Sequence, residues 1–236
     1  MALNKAHTSI WVKVLIIVLI VAFVSLFMYQ GLAGIIALFQ QNPNNTASTT
    51  VDYVAAINQQ NQSIIDALKA NLASSPTSYT ASLAVADAYF NWAQELSQPQ
   101  ADQSQPTSAA VAAAAQAWAQ AKTAYDAATK LTKTFDPPAQ TDRSFATLYA
   151  TNDATQAIAI VRVVTEKAPT FAQGWFHLGY YYELQRNTRA AVVPFSRYLA
   201  LKPSQDESQS IAYAQQSLKA AGVSTSGGST TASATP

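Results

Sequence analysis

Side chains able to carry acid–base, nucleophilic or metal chemistry are few in this 236-residue chain, and their spacing gives them little to do together. There are two histidines, His7 and His177, and no cysteine. Without cysteine there is no disulfide framework, thiolate zinc site, iron–sulfur cluster or sulfur nucleophile. No histidine pair has metal-ligand spacing, and a Ser–His relay has only His177 to draw on, with no nucleophile-elbow motif to supply the serine. Asp206-Glu207 opens a predicted helix, where acidic residues favour the positive end of the dipole, and that structural role accounts for them. Gly174, Gly179, Gly227 and Gly228 form neither a P-loop nor a dinucleotide fingerprint. The sequence therefore predicts a non-enzyme with no catalytic residues, cofactor or metal. A formal net charge of +1 argues against a nucleic-acid partner.

What remains is recognition chemistry. Phe176, Tyr180 and Glu183 recur at i, i+4 and i+7, with His177 alongside, an aromatic face suited to a peptide if a helix presents it. The elements that would position it are legible. Hydrophobic residues make up 49% of the chain and charged residues only 11%, but much of the hydrophobicity lies in 10–39 and most of the rest is alanine at helical spacing. No glycine occurs between Ile35 and Gly174, whereas sheets and hairpins lean on glycine for turns. The part beyond residue 50 is therefore predicted to be all-α. Pro76, Pro99, Pro106, Pro137, Pro138, Pro169 and Pro203 punctuate it into helices near 51–73, 79–96, 108–134, 139–150, 153–167, 172–185, 188–200 and 205–221. Pro194 falls inside the seventh of these, which predicts a kink or a late start there.

Within 172–203, Trp175, Leu178, Gly179 and Tyr182 follow one helical face, Ala191, Phe195 and Tyr198 continue on the next helix, and Pro203 closes the unit. This segment resembles a tetratricopeptide repeat, with Trp, Leu-Gly and Tyr on the first helix, then Ala, Phe and a terminal Pro; Tyr198 replaces a usual alanine. Gly179 and Ala191 would let two antiparallel helices approach closely while Trp175, Leu178, Tyr182 and Phe195 fill the space around them. One such unit cannot bury its own face, so neighbours are expected. A step of 34 residues back sets Pro169 against Pro203 and Ala157 against Ala191, with Asn152-Asp153 as the turn between helices; Phe145 and Leu148 lie on that unit's degenerate first helix. A third unit pairs Val85, Ala86 and Tyr89 with a late second helix carrying Ala121, Tyr125 and Ala128. The helix at 51–73 and the helix at 205–221, with Ile211, Ala214 and Leu218 on one stripe, would cap the stack.

The resemblance implies an α-solenoid whose first helices line a groove. Its groove residues would be Phe176, His177, Tyr180 and Glu183 in the last unit, Asp142, Arg143, Ala146 and Tyr149 in the middle unit, and Leu83, Asp87, Phe90 and Asn91 in the first. The Lys/Asn clamp with which relatives hold acidic chaperone tails is missing. The plainer reading of each groove aromatic is core packing, since Tyr180, Tyr181 and Tyr182 cannot all face one way. Charge is uneven: residues 51–142 hold eight acidic and four basic side chains, and 143–203 three acidic and seven basic. Arg186, Arg189 and Arg197 are either solvated charges or a means of steering an acidic partner.

Residues 14–39 form an uncharged apolar run, longer than the about 20 residues that cross a bilayer. Lys5 and Lys13 precede it and no charge follows until Asp52, which predicts a cytoplasmic stub at 1–13, a single-pass transmembrane helix at 14–39 and an extracytoplasmic repeat domain at 51–221. A polar linker, 40–50, and a disordered tail, 222–236, flank that domain. The competing readings are a signal peptide cleaved near Gly31-Leu32-Ala33 and an inverted topology. The sequence thus predicts a membrane-anchored, bacterial-type protein that binds another protein or peptide. It would act as a scaffold or an accessory in chaperone, secretion or envelope assembly. The rival is a structural spacer or assembly subunit whose groove stays empty, and small residues in the membrane segment leave self-association open.

Overall fold

The structure, a computed structural model, describes residues 53–99 and 105–223, all of them within one unit of the chain. The predicted stub 1–13, transmembrane segment 14–39, linker 40–50 and the tail from 224 onward lie outside the described residues. Among those described, no helix is long and apolar enough to cross a membrane.

Eight α-helices and one short 3-10 helix make up the described residues, without a strand. They are α1 (Tyr53–Ser74), α2 (Tyr79–Ser97), α3 (Ser108–Ala128), α4 (Pro137–Thr151), α5 (Ala154–Lys167), α6 (Ala172–Leu184), α7 (Thr188–Ala200) and, after the 3-10 helix Gln205–Glu207, α8 (Ser208–Ala220). Local chemistry explains the boundaries. The side chains of Ser78, Thr107, Asp136, Asp153 and Asn187 each accept a hydrogen bond from a backbone N–H in the first turn of the following helix. Pro137 and Pro138 stand at the start of α4, where a missing N–H costs nothing, so that helix begins two residues ahead of its sequence-predicted start. The third helix ends at Ala128 rather than near 134, as the residues beyond offer no continuous apolar face and Leu131 is left exposed. The seventh runs unbroken through Pro194, which is buried.

Two of the positive-φ residues recur in register. Asn152 (φ 52°) and Arg186 (φ 58°) occupy equivalent places, 34 residues apart, at the ends of α4 and α6. Each is followed by an N-cap, Asp153 and Asn187, so the two tight turns are built alike.

Each helix packs on the next in chain order, and α2, α4, α6 and α8 also touch one another in succession. No such contact joins α3 to α5 or α5 to α7. α1 also touches α3, but from α3 onward alternate helices crowd together on the α2–α4–α6–α8 side and splay on the other, which makes that side the inner face. Alanine permits the tightest approach: Ala86 and Ala93 of α2 meet a stripe of Ala110, Ala114, Ala117 and Ala121 on α3, all within 5% of full burial. At the other end, α6 nests on its neighbours through its two glycines. A Cβ on Gly174 would lie 2.8 Å from Val164 Cγ1 of α5, and one on Gly179 would lie 2.7 Å from the Phe195 ring of α7. Phe195, Tyr198 and Ala191 of α7 form a core with Ala214 and Leu218 of α8.

Candidate functional site

The inner face carries a groove whose floor is aromatic. Phe90 on α2, Phe145 and Tyr149 on α4, Phe176, His177 and Tyr180 on α6, and Tyr213 on α8 reach it from four helices, and Trp118 of α3 supports it from below. Trp118 is 3% exposed, stacks on Tyr149 with centroids 5.1 Å apart and meets Phe90 edge-on at 5.1 Å. From there the chain of rings runs through Phe145, 5.6 Å from His177, to Phe176, 6.4 Å from Tyr180 and parallel to it. Tyr213 closes the far side, 5.9 Å from Tyr180 and 6.1 Å from Phe176. These rings hold one another in place, since contacts of this kind add about 0.5–1.5 kcal/mol each beyond simple burial. Two openings remain above them. One, of about 590 Å³, lies between Phe90, Phe145, Phe176 and the start of α8; the other, of about 300 Å³, lies between Tyr149, Tyr180 and Tyr213.

His177 lines both openings and is held from behind. Its Nδ1 is 3.1 Å from the Tyr181 hydroxyl, which is 2.9 Å from Ser144 Oγ, and Ser144 Oγ donates to the carbonyl of Thr141 at 2.6 Å. A carbonyl only accepts, so the serine's single proton is taken. The Tyr181 proton must then go to Ser144, and the contact at Nδ1 needs a proton from the imidazole. The ring is therefore the Nδ1–H tautomer with a lone pair on Nε2. Burial pushes its pKa down to about 4, so this neutral form holds at neutral pH. Nε2 has no hydrogen-bond partner among the described residues, and the ring lines both openings.

Asp142 shares the lining of the larger opening with His177. Burial, then the nearby charges of Asp87 and Asp136, push its carboxyl up to about 6. Asp87 is raised as well, by burial chiefly, although the Tyr125 phenol donates to it at 2.7 Å; the Tyr79 phenol donates to Asp136 at 2.7 Å. Asp142 receives no hydrogen bond or ion pair from any described residue. Asp206 and Glu207 complete the acidic rim. Burial and then the Glu183 carboxylate raise the Tyr213 phenol, and burial followed by a hydrogen bond with Tyr180 raises that of Tyr149. Both hydroxyls stay protonated.

Of the groove residues expected from sequence, Phe176, His177, Tyr180, Tyr149 and Phe90 are brought together here. Three are engaged elsewhere. Arg143 turns to α3, where its Nε is 2.6 Å from Asp126, an acid that Lys122 also contacts at 2.8 Å. Burial alone would raise Asp126, but these two cations outweigh it and hold the carboxyl low. Glu183 accepts hydrogen bonds from Tyr213 and Ser217 and so ties α6 to α8. Asp87 lies behind the floor, on Tyr125. Among the expected packing residues, Leu178, Gly179, Ala191 and Phe195 are buried, whereas Trp175, Tyr182 and Pro203 are partly exposed; the Trp175 indole donates to the carbonyl of Pro169. The fully buried tyrosine of the Tyr180–Tyr182 run is Tyr181.

Sequence reasoning passed over Trp118, Ser144 and Tyr213, named Gly174 only among the glycines, and did not say which of Tyr180, Tyr181 and Tyr182 is the core residue. A signal existed for Tyr213: Ser210, Tyr213 and Ser217 line the helix face adjoining the Ala214–Leu218 stripe. For Ser144 and Tyr181 none did, because their bond joins helices 37 residues apart.

Fold and groove together define an all-α protein in which helices packed in chain order present an aromatic inner face. The sequence matches no protein-family model and no curated protein.

Proposed function

We propose that this chain is a membrane-anchored, tetratricopeptide-like repeat protein whose inner groove binds a segment of another protein at the extracytoplasmic membrane surface. The observation that carries this reading is the open aromatic floor assembled from four alternate helices, with Phe176, His177 and Tyr180 at its centre. Support for the repeat comes from the matching turns at Asn152 and Arg186 and from the seat of Phe195 against Gly179. Rings fixed by their neighbours lose little side-chain freedom on binding, which suits them to act as anchors. The anchor at 14–39 would set where the groove works, and the groove what it holds, in the manner of a scaffold or of an accessory to chaperone, secretion or envelope-assembly machinery.

The test is in-cell photocrosslinking from positions 180 and 213, with position 163 on the exposed side of α5 as the control. A discrete adduct from the groove positions alone, lost with Phe176→Ala or Tyr180→Ala, is the expected result. A protein that crosslinks equally from position 163, and whose retention ignores both substitutions, would point instead to a spacer that packs against its assembly.

A further inference from the structure

We infer that the groove is built for a cationic partner: an extended protein segment bearing Lys or Arg, its aliphatic stem laid on the aromatic floor and its charged head at Asp142. The inference rests on the groove reading above and assigns the chemistry of the occupant. Asp142, Asp206 and Glu207 line the larger opening, Asp87 and Asp136 stand behind Asp142, and neither opening is lined by a lysine or arginine. The chain as a whole is close to neutral, so this is a local concentration of one sign. The basic residue nearest in sequence, Arg143, is bound to Asp126 of α3.

Three other acids around the site have partners, as Asp136 has Tyr79, Asp87 has Tyr125 and Glu207 accepts from Tyr198, while Asp206 is exposed to water. Asp142 has none, and a half-buried carboxylate without a donor is costly unless a cation meets it. His177 adds a second demand, because the relay through Tyr181 and Ser144 leaves Nε2 as an acceptor that only a donor can satisfy. The ring faces of Phe145, Phe176 and Tyr180 attract ammonium or guanidinium groups. An acidic segment would bring like charge to this rim and a lone pair to another lone pair.

The experiment uses the purified full-length protein and three fluorescein-labelled ten-residue peptides. They share one leucine and tyrosine pattern and differ only in carrying Arg, Gln or Glu at the remaining positions; affinity is read by anisotropy. The Arg peptide is expected to bind about tenfold or more tightly than the Glu peptide, with a preference that shrinks as salt is raised. Asp142→Asn should weaken the Arg peptide about tenfold and leave the Gln peptide within about twofold. Equal or tighter binding of the Glu peptide, or an Asp142→Asn variant that retains the full Arg preference, overturns the inference. So does spermine displacing the Arg peptide with an affinity equal to its own, since the site would then take a small polycation. Tyr180→Ala separates the two levels of the argument. If all three peptides bind alike and Tyr180→Ala weakens them alike, the groove stands and its charge assignment falls; if none binds, both fall.

Discussion

Substitution of Gly179 by alanine tests whether α6 and α7 nest as described. A methyl at this position would sit 2.7 Å from Phe195 Cδ1 and Cε1 and 2.9 Å from Cζ, well inside contact distance. In an unhindered helix interior the same change stabilises by about 1 kcal/mol. Here the opposing group is a ring rather than a flexible chain end. Phe195 is 1% exposed and has the Phe176 and Tyr213 rings 6.0 and 5.9 Å from it, so it moves only by disturbing the groove. Overpacking costs about 1–3 kcal/mol, and three ring atoms in conflict argue for the upper end, which leaves a net loss of about 2 kcal/mol. For a domain of this size that lowers Tm by about 4–8 °C. Urea unfolding followed by far-ultraviolet circular dichroism measures the loss, with an unchanged slope as the check that two-state behaviour holds. Phe195→Leu vacates the volume the methyl needs, so the double variant should recover about 1 kcal/mol relative to additivity. A Gly179→Ala protein as stable as the parent, or a strictly additive cycle, would refute the account of close approach.

Because the folded-state pKa of His177 is depressed from 6.5 to about 4, its contribution is complete above pH 6.5 and lost as pH falls through 4; His177→Asn should remove up to about 3 kcal/mol of that acid sensitivity in urea titrations across the window. Asp142 runs the other way: its pKa is raised from 3.8 to about 6, so its favourable contribution is complete below pH 3.8 and gone above 6. Asp142→Asn should therefore stabilise by about 2 kcal/mol at pH 8 and by nothing measurable at pH 3.5. Trp118→Ala, at a site 3% exposed and in contact with Phe90, Phe145 and Tyr149, should cost about 3–5 kcal/mol in unfolding free energy.

Helix identity and most helix ends were legible in the order of residues alone, because glycine scarcity, proline punctuation and capping side chains act over three or four positions. Ser78 and Asn187 cap immediately before the expected starts and Asp153 within one residue of its own, whereas Asp136 caps α4 two residues ahead of where it was expected. The late end expected for α3 shows the limit of such reasoning, since only the packing around Ala128 tells that Leu131 has nothing to cover it and is left exposed. The aromatic face at Phe176, His177 and Tyr180 was also legible, being a spacing on one helix.

Which of those side chains stay free was not. Arg143, Asp87 and Glu183 share helical faces with groove residues, yet each meets a partner on another helix: Asp126, Tyr125 and Tyr213. The tautomer of His177 depends on Ser144 and the solitary state of Asp142 on which donors fail to reach it, and both are distances between helices far apart in sequence. The amino-acid order by itself determined that this protein is helical, where its helices turn and which stripe of each is apolar, because those follow from local periodicity and backbone sterics. Only the tertiary structure decided which polar groups on the inner face are paired and which are left to a partner, because hydrogen bonds and charge act through space, and spacing along one helix says nothing of what the next helix brings within reach.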